Sequence, residues 1–328
     1  MNTLKALQRY TRVVADTGHV DEIRQLHPEE ATTNPSLLLK VFQSDSGNQL
    51  LGKVYEVLKA KRKALPSVSD IAQMALVWVA KDILSCISGR VSIEVEARLS
   101  FDTQAMIQAA KRLVQSCKDL GIDTHRILIK IAATWEGIQA ARELESLGIA
   151  CNATLIFHEQ QALACAQAGV TLISPFVGRI YDWYVARGLW KEGEVDPGVQ
   201  SVQRIFTLLK SQGYKTEIMG ASFRNIQEIL SLVGCDRLTI APKFLKQLAE
   251  STESVELKLK APALAKEKLP PVTESAFRWA LNQDPMATEK LSDGIRLFAQ
   301  DGVKMAQLIQ GYLDKKLSLS INSVNTHE

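Results

Sequence analysis

One lysine sits inside an apolar run. In Ile127-Leu128-Ile129-Lys130-Ile131-Ala132-Ala133, six apolar residues surround Lys130. A short, β-rich apolar run reads as a strand buried on both faces. Lysine is almost never fully buried unless something pairs with it. Burial penalises the ammonium and lowers its pKa. A neutral amine is what a carbonyl substrate needs to form a Schiff base. The alternative is a strand-end lysine that reaches solvent or pairs with a carboxylate. Other polar residues stand at or near the ends of β-prone runs. They are Asp16, Asn34, Glu94, Asn152, Thr154, Ser174 and Arg179, with Ser222 and Arg224 just beyond a further run. Two carboxylates could move protons, and amides and hydroxyls could hold a sugar. A guanidinium binds phosphate through two hydrogen bonds, and a serine adds another. For Glu94 the alternative is a solvated strand face, and for Arg179 and Arg224 a pair of exposed charges.

These residues need elements that bring them to one place. β-prone runs fall at 12–18, 31–35, 90–96, 126–133, 151–157, 171–177, 216–221 and 237–241. Helical patterns lie between them: 23–27, most of 36–86 with a break at Pro66-Ser67, 103–120, 135–147, 158–168, 199–212 and 225–233. Gly121, Gly148, Gly169, Gly213 and Gly234 each close a helical pattern and precede a β-prone run, as expected of a helix stop. In 90–96, Val91, Ile93 and Val95 share one face, and Ser92, Glu94 and Glu96 the other. Eight alternating units in about 240 residues fit a (β/α)₈ TIM barrel, over about residues 10–250. A doubly wound open sheet is the second choice; it would more naturally show six strands and a glycine-rich phosphate loop. In a barrel the strand C-termini form the active-site face, and all the polar candidates then meet at one mouth. Residues 252–272 read as a surface linker and about 273–316 as a C-terminal helical extension of the same domain, outside the barrel.

Composition narrows the function. The 328 residues carry a net charge of +3, 46% hydrophobic and 23% charged residues. That charge is too small to argue for nucleic acid or an anionic membrane surface. No run approaches the roughly 18 apolar residues of a membrane span, and the N-terminus has no apolar signal segment. Cys86, Cys117, Cys151, Cys165 and Cys235 are scattered. They read as reduced core thiols of a cytoplasmic protein. His19, His27, His125, His158 and His327 form no metal-ligand spacing. No nucleotide-cofactor fingerprint is present. No metal and no cofactor are expected.

At the same residues the sequence resembles the transaldolase family. The likeness is carried by Val14-Ala15-Asp16-Thr17-Gly18, Ala31-Thr32-Thr33-Asn34-Pro35-Ser36, Arg126-Ile127-Leu128-Ile129-Lys130 and residues 173–182. Met219-Gly220-Ala221-Ser222-Phe223-Arg224-Asn225, residues 234–242, Asn282-Gln283-Asp284-Pro285-Met286-Ala287 and Gly294-Ile295-Arg296 also carry it. It spans about residues 10–300 and is closest to the longer, bacterial and eukaryotic type. The resemblance implies a cofactor-free transferase of the non-oxidative pentose phosphate pathway. Such an enzyme moves a dihydroxyacetone unit from sedoheptulose 7-phosphate to glyceraldehyde 3-phosphate, giving erythrose 4-phosphate and fructose 6-phosphate. By the same resemblance Lys130 is the Schiff-base lysine. Asp16 takes the C4 hydroxyl proton. Glu94 acts through a water in carbinolamine dehydration, with Thr154 helping to hold that water. Asn34, Asn152 and Ser174 bind the dihydroxyacetone part, Phe176 lines the pocket, and Arg179, Ser222 and Arg224 contact phosphate. Members of this type often form a homodimer through the C-terminal region.

The chain departs from the family pattern in places. Ala133 stands where a serine is usual, Ala153 where a leucine is usual, and His158-Glu159 where a Ser-Phe pair is usual. Residues 42–85 match poorly. These departures touch none of the carried-over positions; they bear on loop geometry, rate and substrate preference. Two competing readings remain. A fructose 6-phosphate aldolase would be favoured by a tyrosine in place of Phe176. A catalytically dead sugar-phosphate binder would have lost Lys130, Glu94 or Asp16, and all three are present.

Overall fold

The computed structural model describes residues 1–61 and 65–325. Eight strands alternate with helices: β1 (Arg12–Asp16), β2 (Glu30–Thr32), β3 (Val91–Glu94), β4 (Ile127–Ala132), β5 (Cys151–Ile156), β6 (Leu172–Pro175), β7 (Glu217–Gly220) and β8 (Arg237–Ile240). Each strand pairs in parallel with its successor, and β8 pairs with β1, so the sheet closes in chain order. This is the expected (β/α)₈ barrel, and the open-sheet alternative falls away. The first helices are α1 (Thr3–Leu7), α2 (Val20–Leu26), α3 (Pro35–Phe42), α4 (Asp45–Lys61), α5 (Val68–Leu84), α6 (Thr103–Asp119) and α7 (Trp135–Ser146). They are followed by α8 (Glu159–Gln167), α9 (Gly178–Ala186), α10 (Pro197–Ser211), α11 (Ile226–Leu230), α12 (Pro242–Glu250), α13 (Glu274–Gln283) and α14 (Pro285–Asn325).

The strands explain their own composition. Every residue of β4 and β5 is buried, because helices cover one face and the barrel interior fills the other. Val14, Leu128, Leu172 and Met219 pack together as a separate interior cluster. Side chains alternate along a strand, so the same face reappears two residues later. That step places Asp16, Lys130 and Ser174 directly above the apolar layer, at the C-terminal mouth. The opposite end is closed by ions. Arg237 donates to Glu30 at 2.8 Å and faces Glu217 at 2.9 Å. Arg90 bonds the same two carboxylates at 3.1 and 2.6 Å. Arg237 and Glu30 are each 4% exposed. A buried charge is tolerated only when paired in this way.

Helix boundaries follow local chemistry. Ser67 and Asp70 form a reciprocal cap on α5, which places the expected break at Pro66-Ser67. A second break, at Gln43-Ser44, separates α3 from α4. Residues 62–64 of the expected helical stretch, and His327, lie outside the described residues. β2 is shorter than the predicted 31–35 run. Thr33 sends both its N–H and its hydroxyl to the Ser92 carbonyl, at 3.3 and 2.8 Å, and Asn34 then caps α3 by accepting from Leu37 N–H at 3.0 Å. Gly121, Gly148, Gly169 and Gly213 adopt φ of +70° to +76° just past their helices, the left-handed stop that only glycine takes freely. Gly234 differs: α11 ends at Leu230, and Gly234 closes the turn that follows.

Residues 251–272 hold no helix or strand, yet they are tied down. Leu259 N–H donates to the Val233 carbonyl at 2.8 Å, and Ala265 N–H to that of Ser211 at 2.8 Å. Val272 N–H reaches Gln167 Oε1 at 2.7 Å. The chain thus returns past α11, α10 and α8 to α13. α14 then buries Leu291, Ile295, Phe298, Met305 and Ile309 at helical spacing. It packs on α3, α5, α9 and β5 and so reaches the barrel mouth. The five cysteines are unpaired, and all but Cys86 are buried. Among the described residues, no helix is long and apolar enough to cross a membrane.

Candidate active site

A cavity of ≈160 Å³ opens at the C-terminal ends of the strands. Asp16, Asn34, Lys130, Thr154, Ser174, Phe176, Arg179 and Ser222 line it. The three other predicted residues adjoin it. Glu94 pairs with Lys130 beside the cavity, Asn152 lies beneath Ser174, and Arg224 lines a neighbouring cavity that shares Arg179.

Strand register sets the centre. Glu94, Lys130 and Asn152 are direct neighbours across β3, β4 and β5. Lys130 is 5% exposed, so the solvent-reaching alternative is excluded. Its Nζ stands 3.2 Å from Glu94 Oε2 and donates to the Thr33 carbonyl at 3.2 Å. Burial pushes the Glu94 carboxyl above its ordinary value, and Lys130 opposes that shift. Burial likewise raises Asp16, against the pull of Lys130 and of the Thr32 hydroxyl. That hydroxyl donates to Asp16 at 3.2 Å. Two carboxyls that burial pushes upward, beside an amine, are suited to acid–base work. Glu96 plays no part here: β3 ends at Glu94, and Glu96 pairs with Arg98 at the surface.

Asn152 is fully buried and held in one orientation. It donates to Ser92 Oγ at 3.0 Å and accepts from Ser174 Oγ at 2.7 Å. β5 then bulges between Ala153 and Ile156, with Leu155 at φ +57°. The bulge re-aims the strand end and leaves Thr154 at the cavity wall. Thr154 Oγ1 is buried without a hydrogen-bond partner among the described residues.

The basic end is built by two loops laced together. Val177 N–H donates to the Ala221 carbonyl at 2.9 Å, and Gly178 N–H to that of Ser222 at 2.8 Å. A Cβ on Gly178 would lie 2.4 Å from the Ser222 oxygen, so only glycine permits this approach. Arg179 stacks between two rings, 5.0 Å from Phe176 and 5.4 Å from Phe298. Its Nη1 is buried with no hydrogen-bond partner among the described residues. Burial, then the like charge of Arg224, lowers its pKa from the ordinary value. Arg224 clasps Asp182 through Nε and Nη2, the shorter contact at 2.6 Å. It also donates to Ser222 Oγ at 3.3 Å. The neighbouring cavity of ≈390 Å³ is lined by Arg179, Arg224, Lys290 and Arg296 against Asp182 and Asp293. Its charge balance is positive, as a phosphate would need.

Sequence reasoning missed Phe298. It comes from α14, lies 5.9 Å from Lys130 Nζ, and walls the cavity. Residues 273–316 read as a helical extension outside the barrel, with nothing to say that Phe298 would face the site. Lys290 and Arg296 were also passed over as site residues, although Arg296 lies in a matched segment. α9 was missed as a helix; it presents Arg179 in its first turn. The departures are accommodated. Ala133 is buried, with its N–H on the Thr154 carbonyl at 2.8 Å. His158 caps α8, accepting from Gln160 N–H at 3.0 Å, and burial lowers its pKa. Glu159 pairs with Arg204 at 2.6 Å.

Residues 13–309 match the Transaldolase/Fructose-6-phosphate aldolase family. Curated relatives named transaldolase agree. One from Pseudoalteromonas atlantica is 50% identical over 315 residues, covering 95% of this chain and 99% of the relative. One from Alteromonas mediterranea is 52% identical over 320 residues, covering 97% and 99%. One from Vibrio parahaemolyticus is 51% identical over 314 residues, covering 95% and 99%.

Proposed function

The chain belongs to the transaldolase/fructose-6-phosphate aldolase family, and from that premise we propose how its residues divide the work of transaldol transfer. The activity is that of a transferase acting on sugar phosphates through a lysine Schiff base. Lys130 attacks the ketose carbonyl carbon. Glu94, 3.2 Å from Nζ, supplies the proton as water leaves the carbinolamine, acting through a water that the Thr154 hydroxyl helps to hold. Asp16 takes the C4 hydroxyl proton, and the C3–C4 bond breaks. The electron pair moves into the protonated imine, which acts as its sink. The aldose phosphate leaves, and the bound enamine attacks the acceptor aldehyde by the reverse steps.

Asn34, Asn152 and Ser174 orient the dihydroxyacetone unit. Arg179, Ser222 and Arg224 hold the phosphate at the far end, where remote binding energy helps align the reacting carbons. The observation that carries this reading is the buried Lys130–Glu94 pair in reach of a cavity that also holds Asp16. Phe176 favours transfer over simple aldol cleavage, because its ring offers no hydroxyl near the lysine. The chain should form erythrose 4-phosphate and fructose 6-phosphate from sedoheptulose 7-phosphate only when glyceraldehyde 3-phosphate is supplied. Free dihydroxyacetone as the main product without acceptor would point to the aldolase instead.

A homodimer paired through the C-terminal helices belongs to the same reading. Trp279, Leu297 and Val303 are exposed there. Light scattering at twice the chain mass supports it, and a monomer mass removes it.

A further inference from the structure

A second cavity lies behind the catalytic one. It has a volume of ≈650 Å³ and opens between α3, α5, α6 and α14, beside residues 94–99. Leu38, Ala72, Leu76, Leu113, Met305 and Ala306 give it a largely apolar lining. Two walls separate it from the catalytic cavity. One is the first turn of α3, where Asn34, Ser36 and Leu37 line the catalytic side and Pro35 and Leu38 the apolar side. The α3 backbone fills that wall. The other wall is a single side chain. Among the described residues, Phe298 alone lines both cavities. It is 3% exposed. Its ring stands 5.9 Å from Lys130 Nζ and 5.4 Å from the Arg179 guanidinium. The catalytic pair meets the same boundary. Lys130 lines the catalytic cavity and Glu94 the apolar one, with 3.2 Å between Nζ and Oε2. The apolar space therefore begins within one side chain of the reacting amine.

We propose that Phe298 is the specificity-determining residue that shuts the catalytic cavity off from the apolar one, and so restricts the acceptor to short, polar aldehydes. The inference rests on the reading of Lys130 as the residue that carries the enamine. With the ring in place, the acceptor must fit within ≈160 Å³ walled largely by polar side chains. With the ring removed the two cavities join. An aryl-alkyl aldehyde can then set its ring in the apolar space while its carbonyl carbon stays near Lys130. Taking such a group out of water is favourable in proportion to the area covered. The chemistry is unchanged. The donor C3–C4 bond breaks and glyceraldehyde 3-phosphate leaves. The enamine carbon then bonds to the carbonyl carbon of the aryl-alkyl aldehyde, whose oxygen takes the proton held by Asp16. Water hydrolyses the imine, freeing a ketose that carries the aryl group and restoring the Lys130 amine.

The test gives wild type and Phe298→Ala saturating fructose 6-phosphate as donor and compares two unphosphorylated acceptors, glyceraldehyde and 3-phenylpropanal. Chromatography reads the fructose and the phenyl-bearing ketose. Both reactions share one donor, so any disturbance of Arg179, on which the ring also stacks, cancels in the ratio of their kcat/KM values. The ratio of 3-phenylpropanal to glyceraldehyde should rise at least about 10-fold in Phe298→Ala, as expected when an apolar group gains a pocket that accepts it. Phe298→Val is a smaller cut. It should move the ratio the same way to a lesser degree, and it carries the test if Phe298→Ala does not fold. Ala72→Phe, which fills the apolar cavity from α5, should remove the gain when added to Phe298→Ala, while fructose still forms. An unchanged ratio in the Phe298 variants would overturn the proposal. So would a gain that persists with Ala72→Phe, because the added room would then be local. No fructose from wild type removes the transfer reading and this inference together. Fructose from wild type, with an unchanged ratio in the variants, removes this inference alone.

Discussion

Asp16 and Glu94 are both buried carboxyls beside one amine, yet the geometry gives them different partners. Glu94 faces Lys130 Nζ, whereas Asp16 is held by Thr32 on β2, across the cavity. Glu94→Gln should therefore slow imine formation. Asp16→Asn should leave imine formation intact and block carbon–carbon cleavage. Single-turnover borohydride trapping distinguishes them, and equal trapping defects in both variants would contradict the division. Burial raises both carboxyls. A carboxyl with a raised folded pKa disfavours the fold once pH exceeds its unfolded value, so neither group adds stability at neutral pH. Arg224 tests the phosphate end. Charge-assisted hydrogen bonds contribute roughly 1.5–3 kcal/mol each, so Arg224→Ala should lower kcat/KM for fructose 6-phosphate by about 10–100-fold. For unphosphorylated fructose the value should hold. Equal losses for both sugars would make Arg224 structural. Arg224→Lys should restore only part, because an ammonium cannot form the bidentate pair. At this scale the sequence was most legible: Lys130 is conspicuous because its neighbours are apolar. Phe298 was not, because nothing local says which cavity a buried helical aromatic faces.

Elements turn those residues into a site through register and close approach. The Glu94–Lys130–Asn152 row exists because β3, β4 and β5 are in step. The lacing of residues 176–178 to 221–222 exists because Gly178 has no Cβ. Gly178→Ala would set a methyl 2.4 Å from the Ser222 oxygen and 2.7 Å from Arg224 Cγ. Displacing that loop should raise KM for phosphorylated donors by roughly 10-fold. Trapping of free dihydroxyacetone on Lys130 should be unchanged. A loss of both would mean that the substitution disturbs the barrel and not the loop. Strand positions could be read from the alternation of apolar runs and glycine stops. Two features could not. α9 follows β6 with no capping side chain and a glycine at its first position, so its start carries no local signal. The fixing of residues 251–272 depends on carbonyls more than ten residues distant in sequence.

The whole molecule has a reactive end and a structural end, joined by the interior layer of Val14, Leu128, Leu172 and Met219. The structural end rests on Glu30, which Arg237 and Arg90 hold below its ordinary 4.5 against the opposing effect of burial. A depressed folded pKa means that the stabilisation is complete above the unfolded value and is lost as pH falls through the folded one. Glu30→Gln leaves the buried Arg237 and the half-buried Arg90 with Glu217 as their remaining carboxylate partner and should cost about 3 kcal/mol. It should also flatten the loss of stability below about pH 4.5. Denaturant midpoints at neutral and acid pH check both, and an unchanged midpoint at neutral pH would show that the ion cluster adds no stability. Activity of the folded fraction should persist, since Glu30 lies at the far end of the barrel.

In the proposed mechanism Lys130 forms the imine. Incubation with fructose 6-phosphate and borohydride, followed by peptide mass mapping, tests it most directly, because only an imine is reduced in place. A dihydroxyacetone-derived mass is expected on Lys130 and absent in Lys130→Arg, which keeps the fold but offers no neutral amine. Label on a different lysine, or turnover retained in Lys130→Arg, would contradict it.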